Sequence, residues 1–227
     1  MVGTMALLQA LIRTARMVTH TTRLATGLPP DEEVYLDLPD DRLAPALAAA
    51  GLGDHRPAAE VLAASREAAA WETRDRQVQR LAAFARNRPE WFDAWSYAAP
   101  HDPDVALIRA ELAVRRGWES PARAELLHDV TPLIAAAARA EPADPVPWRI
   151  ALDHARGTGA PHTEFEARWE QAVRRSSYHY GCHVAALQYL SAAWFGSHRE
   201  SFAFAERAAE DALPGSLVRG LPVRAAF

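Results

Sequence analysis

The residues best suited to chemistry lie in one short run, Tyr178-His179-Tyr180-Gly181-Cys182-His183. On a helix, positions 179, 182 and 183 share a face, and imidazole with thiolate is a donor set for zinc, copper or haem iron. His198, one helix further on, adds a fourth donor if the two helices run antiparallel. His179, Cys182, His183 and His198 therefore define one reading of the chain, a metal- or haem-dependent enzyme. A catalytic zinc needs a third protein ligand, which the HxxxH pair alone does not place. The same residues also have a packing reading, in which His183 is a ring wedged between helices and His179 sits in or just before a turn.

Other chemically capable groups have structural explanations in the sequence. Ser197-His198-Arg199-Glu200 reads as a capping box, with the serine covering free backbone amides and Glu200 reaching back. No GxSxG elbow is present, and Gly51-Leu52-Gly53 lacks the third glycine and the preceding strand of a dinucleotide site. Glu164 with Glu166, and Glu206 with Glu210, fit solvated helix faces. His128-Asp129 and Asp153-His154 are adjacent pairs that cannot face each other on a helix, so both read as surface groups. Arginine offers a different chemistry, since guanidinium binds carboxylates bidentately and stacks on rings. Arg109, Arg115 and Arg116 share one inferred helix, and Arg174 with Arg175 precede Tyr178. If these six line a concave surface, an acidic peptide or an anionic metabolite is the expected ligand.

Composition limits what else is open. All 25 basic residues are arginine, since the chain has no lysine. Pyridoxal attachment, Schiff-base chemistry, the Walker A lysine and the kinase lysine are thereby excluded. A single cysteine excludes an intrachain disulfide framework and any CxxC zinc site. A net charge of -4 argues against a dedicated nucleic-acid binder. No run of eighteen apolar residues suggests a membrane span, and no signal peptide is evident, so a cytoplasmic protein is expected.

The elements that must position these residues are helical. Alanine, the best helix former, makes up about a fifth of the chain. Val78, Leu81, Ala82 and Ala85, and again Phe165, Trp169, Ala172 and Val173, recur at helical spacing. Glu111 precedes Arg115 by four, and Glu170 precedes Arg174 by four, the favoured order for helix ion pairs. Breakers at Gly51 to Gly53, Pro89, Pro100 to Pro103, Gly117 to Pro121, Pro142 to Pro147, Gly157 to Pro161 and Gly196 divide the chain into helix-sized segments. Residues 1–28 read as a basic amphipathic helix carrying Leu8, Leu11 and Ile12, and residues 29–40 as an acidic, proline-marked linker. Residues 41–227 form the helical domain.

An internal repeat is the most informative pattern. LAAFARNRPEWFDAW, residues 81–95, answers IAAAARAEPADPVPW, residues 134–148. Arg86 matches Arg139, Pro89 matches Pro142 and Trp95 matches Trp148. In each, a helix ends near an arginine that suits its carboxyl-terminal dipole, a proline turn follows, and the next helix opens on a tryptophan wedge. A weaker copy over 174–183 puts His183 at the tryptophan position, 35 residues after Trp148, close to the tetratricopeptide period of about 34. On these residues the chain from Asp41 onward resembles the tetratricopeptide-like family. Trp194-Phe195-Gly196-Ser197, followed by Phe202-Ala203, is similar to a W-x-G-S…F-A element in bacterial members of unknown function. No copy matches the full consensus.

The resemblance implies an all-α superhelix of stacked antiparallel hairpins that binds a protein or peptide partner. A small-molecule sensor using the aromatic interior is a third reading beside the scaffold and the metal enzyme. Helical repeats need their ends covered, and the apolar face of Leu8, Leu11 and Ile12 is a candidate cover within the chain or across a homodimer. A homodimer built on that face becomes a monomer when residues 1–28 are deleted. Mass in solution measures this, and an unchanged mass excludes the dimer.

Overall fold

The computed structural model describes residues 40–226, and the compact helical unit begins at Asp41. The segment 1–28, and all of 29–40 except its last residue, lie outside the described residues. The chain runs through α1 (Leu43–Gly51), α2 (Arg56–Glu67), α3 (Trp71–Asn87), α4 (Glu90–Ala98), α5 (Pro103–Glu119) and α6 (Arg123–His128). It continues through α7 (Thr131–Ala140), α8 (Val146–Thr158), α9 (His162–Arg175), α10 (Tyr180–Tyr189) and α11 (His198–Asp211). A 3-10 turn, Leu217–Gly220, leads into α12 (Leu221–Ala225). No strand occurs among the described residues, and none of their helices is long and apolar enough to cross a membrane.

Breaks between helices follow local chemistry where glycine and proline supply it. Asp102 accepts from the Asp104 amide at the start of α5, with Pro103 in the first turn. Gly159 takes a left-handed φ of 68° to end α8, a conformation costly for a residue with a Cβ. Ser197 caps α11 by accepting from the Glu200 amide at 3.2 Å, and its hydroxyl donates to the Glu200 carboxylate at 2.7 Å. One break runs against local preference. Ala68-Ala69-Ala70 interrupts the helix although alanine favours helix, and Ala69 sits at a φ of 47°.

The repeat organises helix ends as expected. Arg86 and Arg139 each occupy the last turn of their helix, and Arg174 does so in α9. The tryptophans are less uniform than an opening wedge. Trp95 falls in the middle of α4, fully buried against Trp91 and Phe92, whereas Trp148 is near the start of α8 and only half-buried. Trp194 packs on Trp118, with centroids 5.3 Å apart, and on Phe195.

Packing proceeds by overlap of alternate helices. The helix α3 lies on α2 and α5, α5 on α7 and α8, and α8 on α9 and α10. One apolar core runs from Leu43 to Ala151 through Leu62, Val78, Leu81, Ile108 and Ile150. A second joins α8, α9 and α10 around Leu152, Phe165 and Tyr189, and a third seats α12 on α10 and α11 through Leu187, Ala205 and Leu221.

An arginine is buried in this stack. Arg74 of α3 is 0% exposed. Its Nε donates to Asp144 at 2.6 Å, its Nη2 to Asp104 at 2.6 Å, and its Nη1 to the Leu62 carbonyl at 3.0 Å. Asp144 also accepts from the Val146 amide at the start of α8, and Asp104 lies in the first turn of α5. Both carboxylates therefore sit at the positive ends of helices while holding one guanidinium between them. Arg66 reaches the other oxygen of Asp104 at 2.6 Å.

Removing Arg74 leaves two buried carboxylates without their shared partner. Arg74→Met is expected to lower unfolding free energy by about 3–5 kcal/mol, the cost of breaking a buried pair. Arg174→Ala, which breaks the exposed pair with Glu170, is expected to leave the urea midpoint unchanged. Equal midpoints for the two variants exclude the clamp.

Candidate functional site

Four helices each turn one stripe of residues toward a shared groove of about 580 Å³. The helix α3 contributes Glu72, Asp75, Arg76 and Gln79, and α5 contributes Glu111, Val114, Arg115 and Trp118. Arg149, Asp153 and Arg156 come from α8, and Tyr180, Val184 and Gln188 from α10. These are steps of three and four residues, so one face of each helix lines the groove. Arg224 of α12 and Leu217 of the preceding turn close one side.

The floor of the groove is ionic. Arg149 donates from Nη2 to Asp75 at 2.8 Å, and its Nη1 lies 2.7 Å from Glu111 and 3.3 Å from Asp153. Arg115 binds Glu111 at 2.6 Å, and Arg156 binds Asp153 at 3.2 Å. Three arginines thus interleave with three carboxylates across α3, α5 and α8. Burial alone would raise the Asp75 carboxyl, but Arg149 and then His179 outweigh it and hold it below the usual range. Burial keeps Asp153 above the usual range despite Arg149 and Arg156. Gly181 is required here, because a Cβ on it would run into the Asp75 carboxylate and push α10 away.

At one end of the groove Trp118 meets Trp194 edge to face, with Arg123 and Arg156 over both rings at 4.3–5.4 Å from their centroids. Guanidinium over indole is favourable, more so where water is excluded. The Trp118 Nε1 and the Arg156 Nε are buried and meet no acceptor among the described residues. Each is an unsatisfied donor beside the groove, and such a donor favours a ligand that brings an acceptor.

The residues proposed as metal donors are placed differently. His179 precedes α10 as its N-cap, its Nδ1 accepting from the Cys182 amide at 3.2 Å while Nε2 donates to the Trp71 carbonyl at 3.3 Å. Backbone occupies both ring nitrogens, and Nδ1 also lies 3.2 Å from the Cys182 thiol, the one pair of the four proposed donors in contact. Cys182 is buried, its thiol points to the Pro145 carbonyl at 3.7 Å, and burial first, then Asp75, pushes its pKa well up. His183 packs edge-on against Trp169, with centroids 4.9 Å apart, and beside Phe204. His198 is exposed in the first turn of α11. Among the described residues no group of three or more His, Cys, Asp or Glu is arranged to hold a metal ion.

The six arginine-surface residues also separate. Arg115 lines the groove but is committed to Glu111, while Arg109 and Arg116 lie elsewhere on α5, half-buried and exposed respectively. Arg174 pairs with Glu170, and Arg175 donates to the Pro142 and Gln171 carbonyls and lies over Trp148 at 4.7 Å. Tyr178 lines a separate pocket on the α9 side.

His154 is buried rather than on the surface, with its Nε2 2.6 Å from the Leu127 carbonyl, and its neighbour Asp153 belongs to the groove floor. Sequence reasoning missed Arg74, Asp75, Asp104, Asp144 and Arg149. One signal was available for Arg74. It stands four residues before Val78 and seven before Leu81, on the apolar stripe of α3. The chain matches no protein-family model, no curated protein and no solved structure.

Burial lowers the pKa of His154 and of His183 below the ordinary 6.5. Below that value the unfolded chain binds protons that the folded chain refuses, so folding stability falls as pH falls. Through these two rings the urea midpoint is expected to drop between about pH 7.5 and about pH 5.5, while the buried carboxyls of Asp104, Asp144 and Asp153, raised by burial, act in the opposite sense. His154→Gln is expected to flatten that dependence, and a midpoint constant with pH excludes the two rings as its source.

Proposed function

We propose that this chain is a tetratricopeptide-like helical-repeat scaffold that holds a protein or peptide partner in the groove between α3, α5, α8 and α10. The observation that carries the reading is the set of four parallel stripes, one per helix, converging on a single concave surface. Repeat scaffolds present such a face because stacked hairpins rotate slightly from one to the next. An ion-paired floor suits this role, since its side chains are already ordered before a ligand arrives.

The charge left over in the groove favours an acidic partner. Arg149 engages Asp75, Glu111 and Asp153, Arg86 engages Glu119, and the Tyr180 amide donates to Glu72. Arg76 and Arg224 pair with no carboxylate among the described residues, although both line the groove. Set against Glu72, whose charge an amide does not cancel, these two guanidiniums leave an excess of one positive charge that attracts a ligand carrying carboxylates, and the attraction weakens with salt.

Short peptides selected for binding from a random library are expected to be acidic. Filling the groove with Gln188→Trp is expected to weaken them at least tenfold, about 1.4 kcal/mol. Arg76→Gln with Arg224→Gln is expected to weaken them and to reduce the salt dependence. Calorimetry checks both, with circular dichroism confirming that the variants fold. Selected peptides that bind the groove-filled variant as tightly as the parent place recognition elsewhere and overturn the proposal.

A further inference from the structure

Behind the groove, between α9, α10 and α11, lies a second pocket of about 500 Å³ that shares no lining residue with the groove. Its volume falls within the range of small-molecule sites, about 300–1,000 Å³. Trp169, Phe204 and Tyr178 bring aromatic rings to it, and His183 reaches it from α10. Trp169 and Phe204 meet at 5.4 Å with planes 71° apart, so they form adjoining walls rather than a stack. The His183 ring lies against both, 4.9 Å from Trp169 and 6.0 Å from Phe204.

His183 is the informative member. It is 4% exposed, and its Nδ1 is 3.0 Å from the His179 carbonyl. A carbonyl only accepts, so Nδ1 carries the hydrogen and Nε2 carries the lone pair. That Nε2 has no protein partner among the described residues and is not sealed off by them. An acceptor is therefore accessible on a residue that lines the pocket, where Trp169 and Phe204 supply the aromatic wall and Ser177, Arg207 and Asp211 the polar rim. Water fills such a position when nothing else does, and a ligand that displaces it loses affinity unless it replaces the hydrogen bond. A site that requires a donor discriminates strongly against an analogue lacking one.

We propose that this pocket binds a small aromatic molecule whose ring carries a hydrogen-bond donor, a phenol or an indole, with the donor on His183 Nε2 and the ring against Trp169 and Phe204. The site is separate from the peptide groove and is a second binding function on the same scaffold. The ring faces supply affinity through edge and face contacts, and the fixed tautomer supplies selectivity. Residues of three consecutive helices must stay in place for the pocket to exist, so occupancy couples α11 to α10.

The test uses the full chain labelled with ¹⁵N-histidine and titrated with 4-methylphenol, indole, 4-methylanisole and toluene. 4-Methylphenol and indole are expected to shift the His183 Nε2 resonance saturably, in the direction of an accepted hydrogen bond. 4-Methylanisole, which keeps the ring and oxygen but has no donor, is expected to bind at least about tenfold more weakly, as is toluene. His183→Phe is expected to erase the preference for the phenol over its ether. Equal affinity of 4-methylphenol and 4-methylanisole for the unmodified protein overturns the proposal, as does the absence of a saturable shift at Nε2. Both outcomes are read on the parent protein, so they hold even if the variant fails to fold. Peptide binding in the groove is unaffected by either result.

Discussion

Arg74 is the point from which the rest of the helical stack is arranged. Its three donors reach three different elements, so α2, α5 and α8 are positioned against α3 by a single guanidinium. A fully buried cation is tolerable only where every donor finds an acceptor and opposite charge lies at contact distance. Asp104 and Asp144 meet both conditions, and each also sits where a helix start favours negative charge. Buried ionic clusters add little net stability over packed apolar residues, and much is lost when one member is removed. The role assigned to this one is therefore register, since α3, α5 and α8 can slide past one another only by breaking it.

The groove inherits its geometry from that register. Asp75 follows Arg74 in sequence, and about 100° of helical rotation turns it from the interior of the stack toward the groove. There it meets Arg149, which also reaches Glu111 of α5 and Asp153 of its own helix. Two adjacent residues of α3 thus anchor two linked ionic clusters, one holding the helices together and one forming the floor. Gly181 completes the arrangement by letting the backbone of α10 approach Asp75 closely. The same end of α10 uses His179 as a cap and Cys182 as a small buried thiol, while His183 turns to the far side toward Trp169. A sequence cluster that looks like one ligand set is distributed by the helix into three structural tasks.

Legibility in the sequence followed the range of the interaction. Helix positions, proline and glycine breaks, the Ser197 cap and the i,i+4 pairs of Glu111 with Arg115 and Glu170 with Arg174 are local, and local chemistry sufficed for them. The turn at Ala68 to Ala70 was not legible, because alanine prefers helix and nothing in the local sequence marks a break there. Trp95 and Trp148 share a repeat position but not a depth, since Trp95 is enclosed by Trp91 and Phe92 whereas Trp148 is half-buried with Arg175 over its ring. The groove was invisible except as arginine and carboxylate counts. Its members come from four helices spread over more than a hundred residues, and no spacing rule joins Glu72 to Arg149.

What the sequence determined by itself is the helical content, the placement of breaks and the exclusions that follow from having no lysine and one cysteine. Those depend on backbone preference and on which functional groups exist. Which charges are buried was decided only by the tertiary structure. A charged side chain enters a core when partners from distant segments arrive together, and that condition cannot be read from neighbours in the chain. The fate of the His179 to His183 run was decided in the same way. Its residue types permit metal binding, but carbonyls from Trp71, Pro145 and His179 and rings from Trp169 and Phe204 occupy or flank its donors. Of the His179 and His183 ring nitrogens, the Nε2 of His183 is the one for which the fold supplies no partner among the described residues.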